Sequence, residues 1–190
     1  MKTIGTMILV GVTAVSVSLV FVDATAPQPA APSAIERGKY LVKLAGCSDC
    51  HTPLKFGPQG PEPDLSRYLS GHPDDAELPA PPDLNVGPWF AATAGMTAWS
   101  GPWGISYAAN LTPDEMTGLG IWTPEMFLRA MRTGRHMGEG REILPPMPWQ
   151  NLAQLADDDL LAIHAYLRSL PPIRNAVPEP RFPGGKHDYE

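Results

Sequence analysis

The sequence has few cysteines, few charged residues and no run of basic ones. Only 2 of its 190 residues are cysteine, and charged residues make up 18%. A zinc site needs four ligands, and the sequence has no second pair of cysteines to supply them. A nucleic-acid-binding surface needs clustered lysine and arginine to contact phosphates. The 14 basic residues are outnumbered by 20 acidic ones, which gives a formal net charge of -6. We therefore predict no nucleic-acid partner, and the acidity favours solubility or the steering of a basic partner.

Proline is the residue in excess, with 23 of 190 positions against a usual share of ~5%. Proline donates no backbone hydrogen bond and fixes φ, so long regular helices or sheets cannot make up most of the chain. No internal repeat is visible. We expect a few helices joined by long irregular loops, which something other than backbone hydrogen bonds must organise.

Residues 1–26 resemble a targeting segment, with Lys2 ahead of an uncharged apolar stretch at 4–22 and an A-x-A cleavage pattern at 24–26. At 1.5 Å per residue the apolar stretch would span roughly 28 Å, close to the ~30 Å of a bilayer core. It is therefore either a cleaved signal peptide or a retained membrane anchor. Both alternatives place the rest of the chain outside the cytoplasm, in the periplasm of a bacterium. Residues 27–33 form an Ala/Pro spacer.

Start and stop signals predict a small number of helices. A capping box from Ser33 to Glu36 opens a helix at 34–45, and Thr123 followed by Pro124 opens another that ends before Gly134. A last helix at 157–170 begins with three aspartates, and a short helix should follow Thr112. The predicted inward residues are Ile35, Gly38, Leu41, Val42, Ala45, Phe127, Ala130, Met131, Leu160, Ile163, Tyr166, Leu167 and Leu170.

Residues 53–108 are rich in proline and glycine and show no helical period and no clear strand alternation. Ordered loops of this length are uncommon and usually serve a function. The segment is also rich in aromatic residues, which a disordered linker would lack. We predict an irregular insertion that packs on something large and apolar. A second proline-rich segment, at 173–190, forms a tail.

The two cysteines belong to a single pentapeptide, Cys47-Ser48-Asp49-Cys50-His51. This C-x-x-C-H pattern is typical of c-type haem attachment. Two thiols three residues apart on a helical turn can each bond one vinyl group of the porphyrin, and the following histidine can ligate the iron. A thioredoxin-like C-x-x-C would need a βαβ context, and none is predicted. We therefore predict one covalent haem c held by Cys47, Cys50 and His51.

The second face of the iron has several candidate ligands, and Met147 is the first choice. It lies between Pro146 and Pro148 in a stiff loop that can hold a thioether with little loss of entropy. His136 and Met137, in a glycine-rich turn, are the alternative. Met126, Met131 and His164 lie on predicted helices and are expected to pack rather than ligate. The remaining candidates are Met96, Met116, His72 and His187.

The chain resembles the monohaem c-type cytochromes of bacterial respiratory and dehydrogenase chains. The matching segments are 37–41, 47–52, 110–114, 117–122, 145–149 and 162–172. The resemblance implies an all-α, cytochrome c-like domain at 34–172 around one haem, with His51 and Met147 as the axial ligands. It also implies that the first helix crosses the last, with Gly38 close to Ala165 and Tyr166.

The predicted function is one-electron transfer between redox proteins, because His/Met ligation leaves no open site for a substrate. The donor would be a dehydrogenase or reductase, and the acceptor an oxidase or a second cytochrome. Two alternatives stay open. The chain could work only as a haem subunit inside a larger membrane complex, or it could be a haem enzyme or sensor with a labile sixth ligand.

Overall fold

The computed structural model describes residues 31–80 and 89–183. The predicted signal peptide or anchor at 1–26 lies outside the described residues, as do parts of the spacer and of the tail. None of the helices described is long and apolar enough to cross a membrane. The helices, in chain order, are α1 (Ala34–Leu44), α2 (Cys47–His51), α3 (Pro124–Thr133), α4 (Trp149–Leu152) and α5 (Asp157–Arg168), with 3-10 turns at Leu65–Arg67 and His136–Gly138.

Local capping signals set the start of α1 and α3, as predicted. The Ser33 hydroxyl accepts from the Glu36 backbone N–H at 3.3 Å, and the Glu36 carboxylate accepts from the Ser33 N–H at 2.8 Å. Thr123 caps α3 by accepting from Met126 N–H at 3.2 Å. Gly134, at φ 67°, ends α3 in the left-handed region that favours glycine.

Helices α1 and α5 cross at Gly38. A β-carbon at Gly38 would lie 1.9 Å from the carbonyl oxygen of Ala162 and 2.8 Å from Cβ of Tyr166. The family resemblance predicted that Gly38 lies close to Ala165 and Tyr166. Tyr166 is at the crossing, as predicted, but the backbone contact is with Ala162 rather than Ala165. A bidentate ion pair also joins α1 to α5. The Nε and Nη2 atoms of Arg37 lie 2.8 Å and 3.1 Å from the two carboxylate oxygens of Asp159. The hydrogen bonds from Arg37 lower the pKa of Asp159.

The core lies between α1, α3 and α5. The predicted inward residues of α3 are all buried, and so are Leu160, Ile163, Tyr166 and Leu167 of α5. Ile35 and Ala45 are exposed, so the apolar face of α1 is narrower than predicted. The core cluster consists of Leu41, Val42, Leu69, Leu119, Trp122, Phe127, Ala130, Met131, Leu160, Ile163, Tyr166 and Leu167.

The prediction of an all-α fold is wrong. Within the described residues, the insertion at 53–108 forms two small antiparallel sheets. One pairs β1 (Leu54–Gly57) with β2 (Gly60–Pro63), and the other has the order β3 (Ala91–Ala92), β4 (Ala98–Gly101) and β5 (Gly104–Tyr107). The strands have four residues or fewer, which is too short for an alternating pattern to be recognised.

The two hairpins share a sequence feature that does not depend on alternation of apolar and polar residues. Gly57-Pro58-Gln59-Gly60 joins β1 to β2, and Gly101-Pro102-Trp103-Gly104 joins β4 to β5. In each, proline occupies the turn, where its missing N–H costs no strand hydrogen bond. The closing glycines, Gly60 at φ 108° and Gly104 at φ 100°, adopt a backbone conformation that side chains disfavour.

The short helix predicted after Thr112 does not form. The Asp114 carboxylate instead accepts hydrogen bonds from the backbone N–H of Thr117 at 2.8 Å and of Met116 at 3.2 Å. The backbone N–H groups of Gly118 and Gly120 both donate to the Asp114 carbonyl at 3.0 Å. These bonds close a turn rather than propagate a helix, since an aspartate side chain competes with the helical pattern for the same donors.

Candidate functional site

The Cys47–His51 turn forms helix α2. It follows α1 after two residues, Ala45 and Gly46, of which Gly46 has a left-handed backbone at φ 65°. Cys47 and Cys50 are both free thiols and both half-buried. Burial raises the pKa of Cys47 to about 11, and it also raises the pKa of Cys50. Both groups are therefore neutral thiols at neutral pH.

His51 is buried at the end of the same turn, and its orientation is set by one hydrogen bond. Its Nδ1 lies 2.7 Å from the carbonyl oxygen of Ala109. A carbonyl can only accept, so Nδ1 carries the proton and donates, which leaves the lone pair on Nε2. Burial lowers the pKa of His51, an effect that the Ala109 hydrogen bond only partly opposes. The side chain is a neutral imidazole with Nε2 available to a metal.

Hydrogen bonds from the middle of the insertion join the His51 backbone to the end of the insertion. Gly71 N–H donates to the His51 carbonyl at 2.8 Å, and His72 N–H donates to the Ala108 carbonyl at 2.9 Å. Gly71, at φ 84°, fits so closely that a β-carbon would lie 2.4 Å from the Ala108 carbonyl oxygen. The insertion therefore returns to the point where it left and positions Ala109 against the His51 ring.

Met147 lies outside the Cys47–His51 turn, in the loop at 144–148. Its side chain is half-buried, and its backbone N–H donates to the Leu144 carbonyl at 3.3 Å. The loop also contacts the insertion, because the Ser106 hydroxyl donates to the Pro145 carbonyl at 2.5 Å. The structure thus joins three of the four predicted site residues in one helical turn and holds the fourth in a separate, proline-framed loop.

The alternative ligands occupy different surroundings. Met137 has a left-handed backbone, at φ 56°, and packs against the core cluster. The ring of His136 meets Trp122 edge-on, with 4.9 Å between centroids. Met131 is buried in the core, as predicted, and His164 is buried with Nε2 3.2 Å from the Trp122 carbonyl oxygen.

His72 is a buried residue to which the sequence assigned no role. It is 2% exposed, and its Nδ1 lies 2.9 Å from the Thr97 hydroxyl. Its Nε2 is the one buried side-chain polar atom, among the described residues, that has no hydrogen-bond partner. The only sequence signal was its place in a glycine- and proline-flanked tripeptide, Gly71-His72-Pro73.

The donor set fits a covalently attached haem. Two neutral thiols three residues apart precede a histidine whose remaining lone pair is not used by any described residue. The buried Ala109 contact gives the imidazole the hydrogen-bonded second nitrogen that metal-ligating histidines nearly always have.

Known proteins with similar sequences also support a c-type haem site, although no family model matches the chain. The chain is 40% identical over 151 residues to a subunit of nicotinate dehydrogenase from Pseudomonas putida. It is 28% identical over 173 residues to the cytochrome c subunit of quinone-type alcohol dehydrogenase from Gluconobacter oxydans, and 29% over 163 residues to the fructose dehydrogenase cytochrome subunit of Gluconobacter japonicus.

These matches cover 78%, 90% and 84% of the chain. The chain spans only 10% of the length of the first relative and 29% and 26% of the other two. The similarity is therefore to one part of each larger protein, and two of the three are named as cytochrome subunits. Together with the Cys47–His51 turn and its anchored histidine, it identifies the chain as a member of the c-type cytochromes.

Proposed function

We propose that this chain is an electron-transfer protein with one covalently bound haem c. The observation that carries the proposal is the α2 turn, in which two neutral thiols precede a histidine held by Ala109. A bound haem supplies an iron that accepts and releases one electron. A single C-x-x-C-H in the sequence supports a count of one haem.

In this proposal His51 and Met147 would be the two side chains that hold the haem iron. His51 presents Nε2 from a rigid turn, since its other ring nitrogen donates to Ala109. Met147 is held in a loop in which three of five residues are proline, so little conformational entropy is lost when the thioether binds. A His/Met pair would leave no open position on the iron and would raise its reduction potential. The chain would then carry electrons without binding a substrate at the iron.

The partner that we propose is a dehydrogenase, with the chain acting as its haem subunit or as the next carrier after it. The relatives are named as cytochrome subunits of alcohol and fructose dehydrogenases or as a subunit of nicotinate dehydrogenase, which favours the subunit role over that of a free carrier. An oxidase or a second cytochrome would receive the electron. The targeting pattern at 1–26 supports a site outside the cytoplasm, in the periplasm or at the inner membrane.

The test starts from the full-length chain, expressed with cytochrome maturation factors and purified from the native membrane fraction. We expect the haem to remain with the polypeptide after acid–acetone extraction, and the intact mass to exceed that of the polypeptide by one haem. A co-purifying dehydrogenase should reduce the haem when its own substrate is added. Release of all haem into the organic phase would contradict covalent attachment, and reduction without any associated dehydrogenase would favour a free carrier.

A further inference from the structure

Ser106 makes an unusual contact between the insertion and the loop that holds Met147. It lies on β5 and is 6% exposed. Its Oγ lies 2.5 Å from the carbonyl oxygen of Pro145 and 3.2 Å from Nε1 of Trp103. An indole N–H can only donate and a carbonyl can only accept, so the hydroxyl accepts from Trp103 and donates to Pro145. Trp103 therefore fixes the direction in which the Ser106 proton points.

The loop has few other means of being held in place. Pro145, Pro146 and Pro148 have no backbone N–H to donate. The hydrogen bond from Met147 N–H to the Leu144 carbonyl, 3.3 Å long, closes the turn on itself and does not tie it to another element. At its end the loop is joined to α4, because the Pro148 carbonyl accepts from the Asn151 N–H at 3.0 Å. For residues 144–147, in the part of the chain that the structure describes, the bond from Ser106 is the one hydrogen bond to a different element of the fold.

Ser106, the donor in the hydrogen bond to Pro145, lies on a rigid strand. Ser106 pairs with Trp99 across the β4–β5 hairpin. Its neighbour Ile105 exchanges two backbone hydrogen bonds with Arg181, one of 2.7 Å and one of 2.9 Å. Strand β5 is therefore paired on both edges, by β4 and by the C-terminal segment, and cannot shift without breaking several backbone bonds.

We propose that Ser106 is a positioning residue for Met147, and that the β4–β5 hairpin thereby controls how firmly the sixth ligand stays on the iron. This inference rests on the proposed function, because it assumes that Met147 is the ligand. The hydrogen bond from Ser106 holds the carbonyl of Pro145, which lies two residues before Met147. It therefore fixes the orientation of the backbone at the start of the turn. Without it the loop would explore more conformations, and an external ligand would compete more easily with the thioether.

The experiment compares Ser106→Ala with Ser100→Ala in the full-length, haem-loaded protein. Ser100 lies on the neighbouring strand β4 and makes no side-chain hydrogen bond to any described residue, so it is a matched control. Imidazole is titrated against the ferric protein, and the loss of the methionine–iron charge-transfer band reports its binding. A neutral hydrogen bond corresponds to about a fivefold change in an equilibrium constant. We expect Ser106→Ala to bind imidazole about fivefold more tightly than wild type, with a lower reduction potential.

Ser100→Ala should match the wild type, and Ser106→Thr, which keeps the hydroxyl, should restore most of the wild-type value. Equal imidazole binding by Ser106→Ala and Ser100→Ala would overturn the inference, and so would a Ser106→Thr protein that behaves like Ser106→Ala. If Ser106→Ala fails to fold, Ser106→Cys provides the test, because a thiol has nearly the same shape as the hydroxyl but is only a weak hydrogen-bond donor. Imidazole binding by Ser106→Cys that equals the wild-type value would then count against the proposal.

Met147→Ala separates this inference from the proposed function. If Met147→Ala keeps the methionine band, the ligand assignment fails and the inference fails with it. If Met147→Ala loses the band while Ser106→Ala binds imidazole like the wild type, Met147 remains the ligand and only the role of Ser106 is disproved.

Discussion

At the scale of single residues, the carbonyl oxygen of Ala109 defines the chemistry available to His51. It accepts from Nδ1 at 2.7 Å, and it thereby selects the tautomer whose free lone pair is on Nε2. The contact also prevents the ring from rotating about χ2. A histidine in the same C-x-x-C-H sequence without this acceptor could present either nitrogen. A residue 58 positions away in the chain thus leaves Nε2 of the imidazole available to a metal.

Met147 is the sixth ligand that we propose for the haem iron. Replacing Met147 by alanine should abolish the methionine–iron charge-transfer band of the ferric protein, lower the reduction potential and open the iron to carbon monoxide. The reason is that a thioether ligand favours ferrous iron and blocks the sixth site. Visible spectra and a redox titration measure these changes.

Met137→Ala is the matched control, because Met137 packs against the core cluster. It should keep the band and the potential, and any effect should be confined to stability. If Met137→Ala abolishes the band and Met147→Ala does not, the alternative ligand pair of His136 and Met137 must be reconsidered.

At the scale of elements, the crossing of α1 and α5 depends on the absence of a side chain at Gly38. The helices meet backbone to backbone, since a β-carbon there would lie 1.9 Å from the Ala162 carbonyl oxygen. The atom in the way is backbone, which cannot move aside as the end of a flexible side chain could. The same crossing brings Leu41 and Val42 into the core with Ile163 and Tyr166.

We therefore expect Gly38→Ala to lower the free energy of unfolding by about 3 kcal/mol, because the two helices must separate to admit the methyl group. Denaturant unfolding of the haem-loaded protein measures the change. Gly95→Ala serves as the control, since the nearest atom to a β-carbon at Gly95 is 3.8 Å away. Its effect should be within about 0.5 kcal/mol of zero. If Gly38→Ala has a similarly small effect, the two helices are not in close backbone contact at Gly38.

The ion pair between Arg37 and Asp159 predicts a specific acid dependence for the same crossing. The hydrogen bonds from Arg37 lower the pKa of Asp159 in the folded protein. A carboxyl group with a lowered folded-state pKa contributes stability that is present above its unfolded pKa of about 3.9 and is lost as the pH falls through the folded value. Unfolding measured from pH 6 down to pH 2 should therefore show a loss of stability below about pH 4 that Asp159→Asn lacks.

Arg37→Gln should remove the same acid-dependent component, because arginine stays charged across this range and supplies the attraction. The two single variants and the double variant should then share one pH profile. If the profile of Asp159→Asn matches that of the wild type, the acid sensitivity of the protein comes from other carboxyl groups.

At the scale of the whole molecule, the segment after α5 holds the insertion in place. Asn175, 5% exposed, donates through Nδ2 to the carbonyls of Ser70 at 2.7 Å and His72 at 2.8 Å. Its Oδ1 accepts from Asp74 N–H at 2.9 Å. Further along, Arg181 pairs with Ile105 of β5. The last described residues thus connect the segment beside His51 to the hairpin that reaches the Met147 loop.

Asn175→Ala should consequently lower the free energy of unfolding by about 2–3 kcal/mol, since it leaves buried carbonyls without a donor. Hydrogen exchange should also accelerate at Gly71 and His72, whose N–H groups bond His51 and Ala108. Asn151→Ala, at an exposed position on α4, is the control and should change stability by less than about 0.5 kcal/mol. Equal stability of the two variants would show that the C-terminal segment does not secure the insertion.

The sequence by itself determined the features that depend on near neighbours in the chain. The capping box at Ser33, the Thr123 cap, the end of α3 at Gly134 and the C-x-x-C-H turn all arise from contacts within about five residues. A hydrogen-bonding side chain or a glycine at such a position has few alternatives, so the pattern is sufficient to predict the structure. The proline content predicted long irregular loops, whereas the described part of the insertion forms two small antiparallel sheets.

Only the tertiary structure decided the arrangement of the insertion and the surroundings of the site. The strands of β1–β5 are too short to show a period, and they form because glycine turns and distant partners such as Arg181 satisfy their backbone groups. The acceptor of His51 is a main-chain carbonyl, which every residue has and no sequence pattern marks. The same is true of Pro145, whose carbonyl Ser106 reaches across 39 positions. Contacts of this kind are set by the path of the whole chain, and residue identity alone does not encode them.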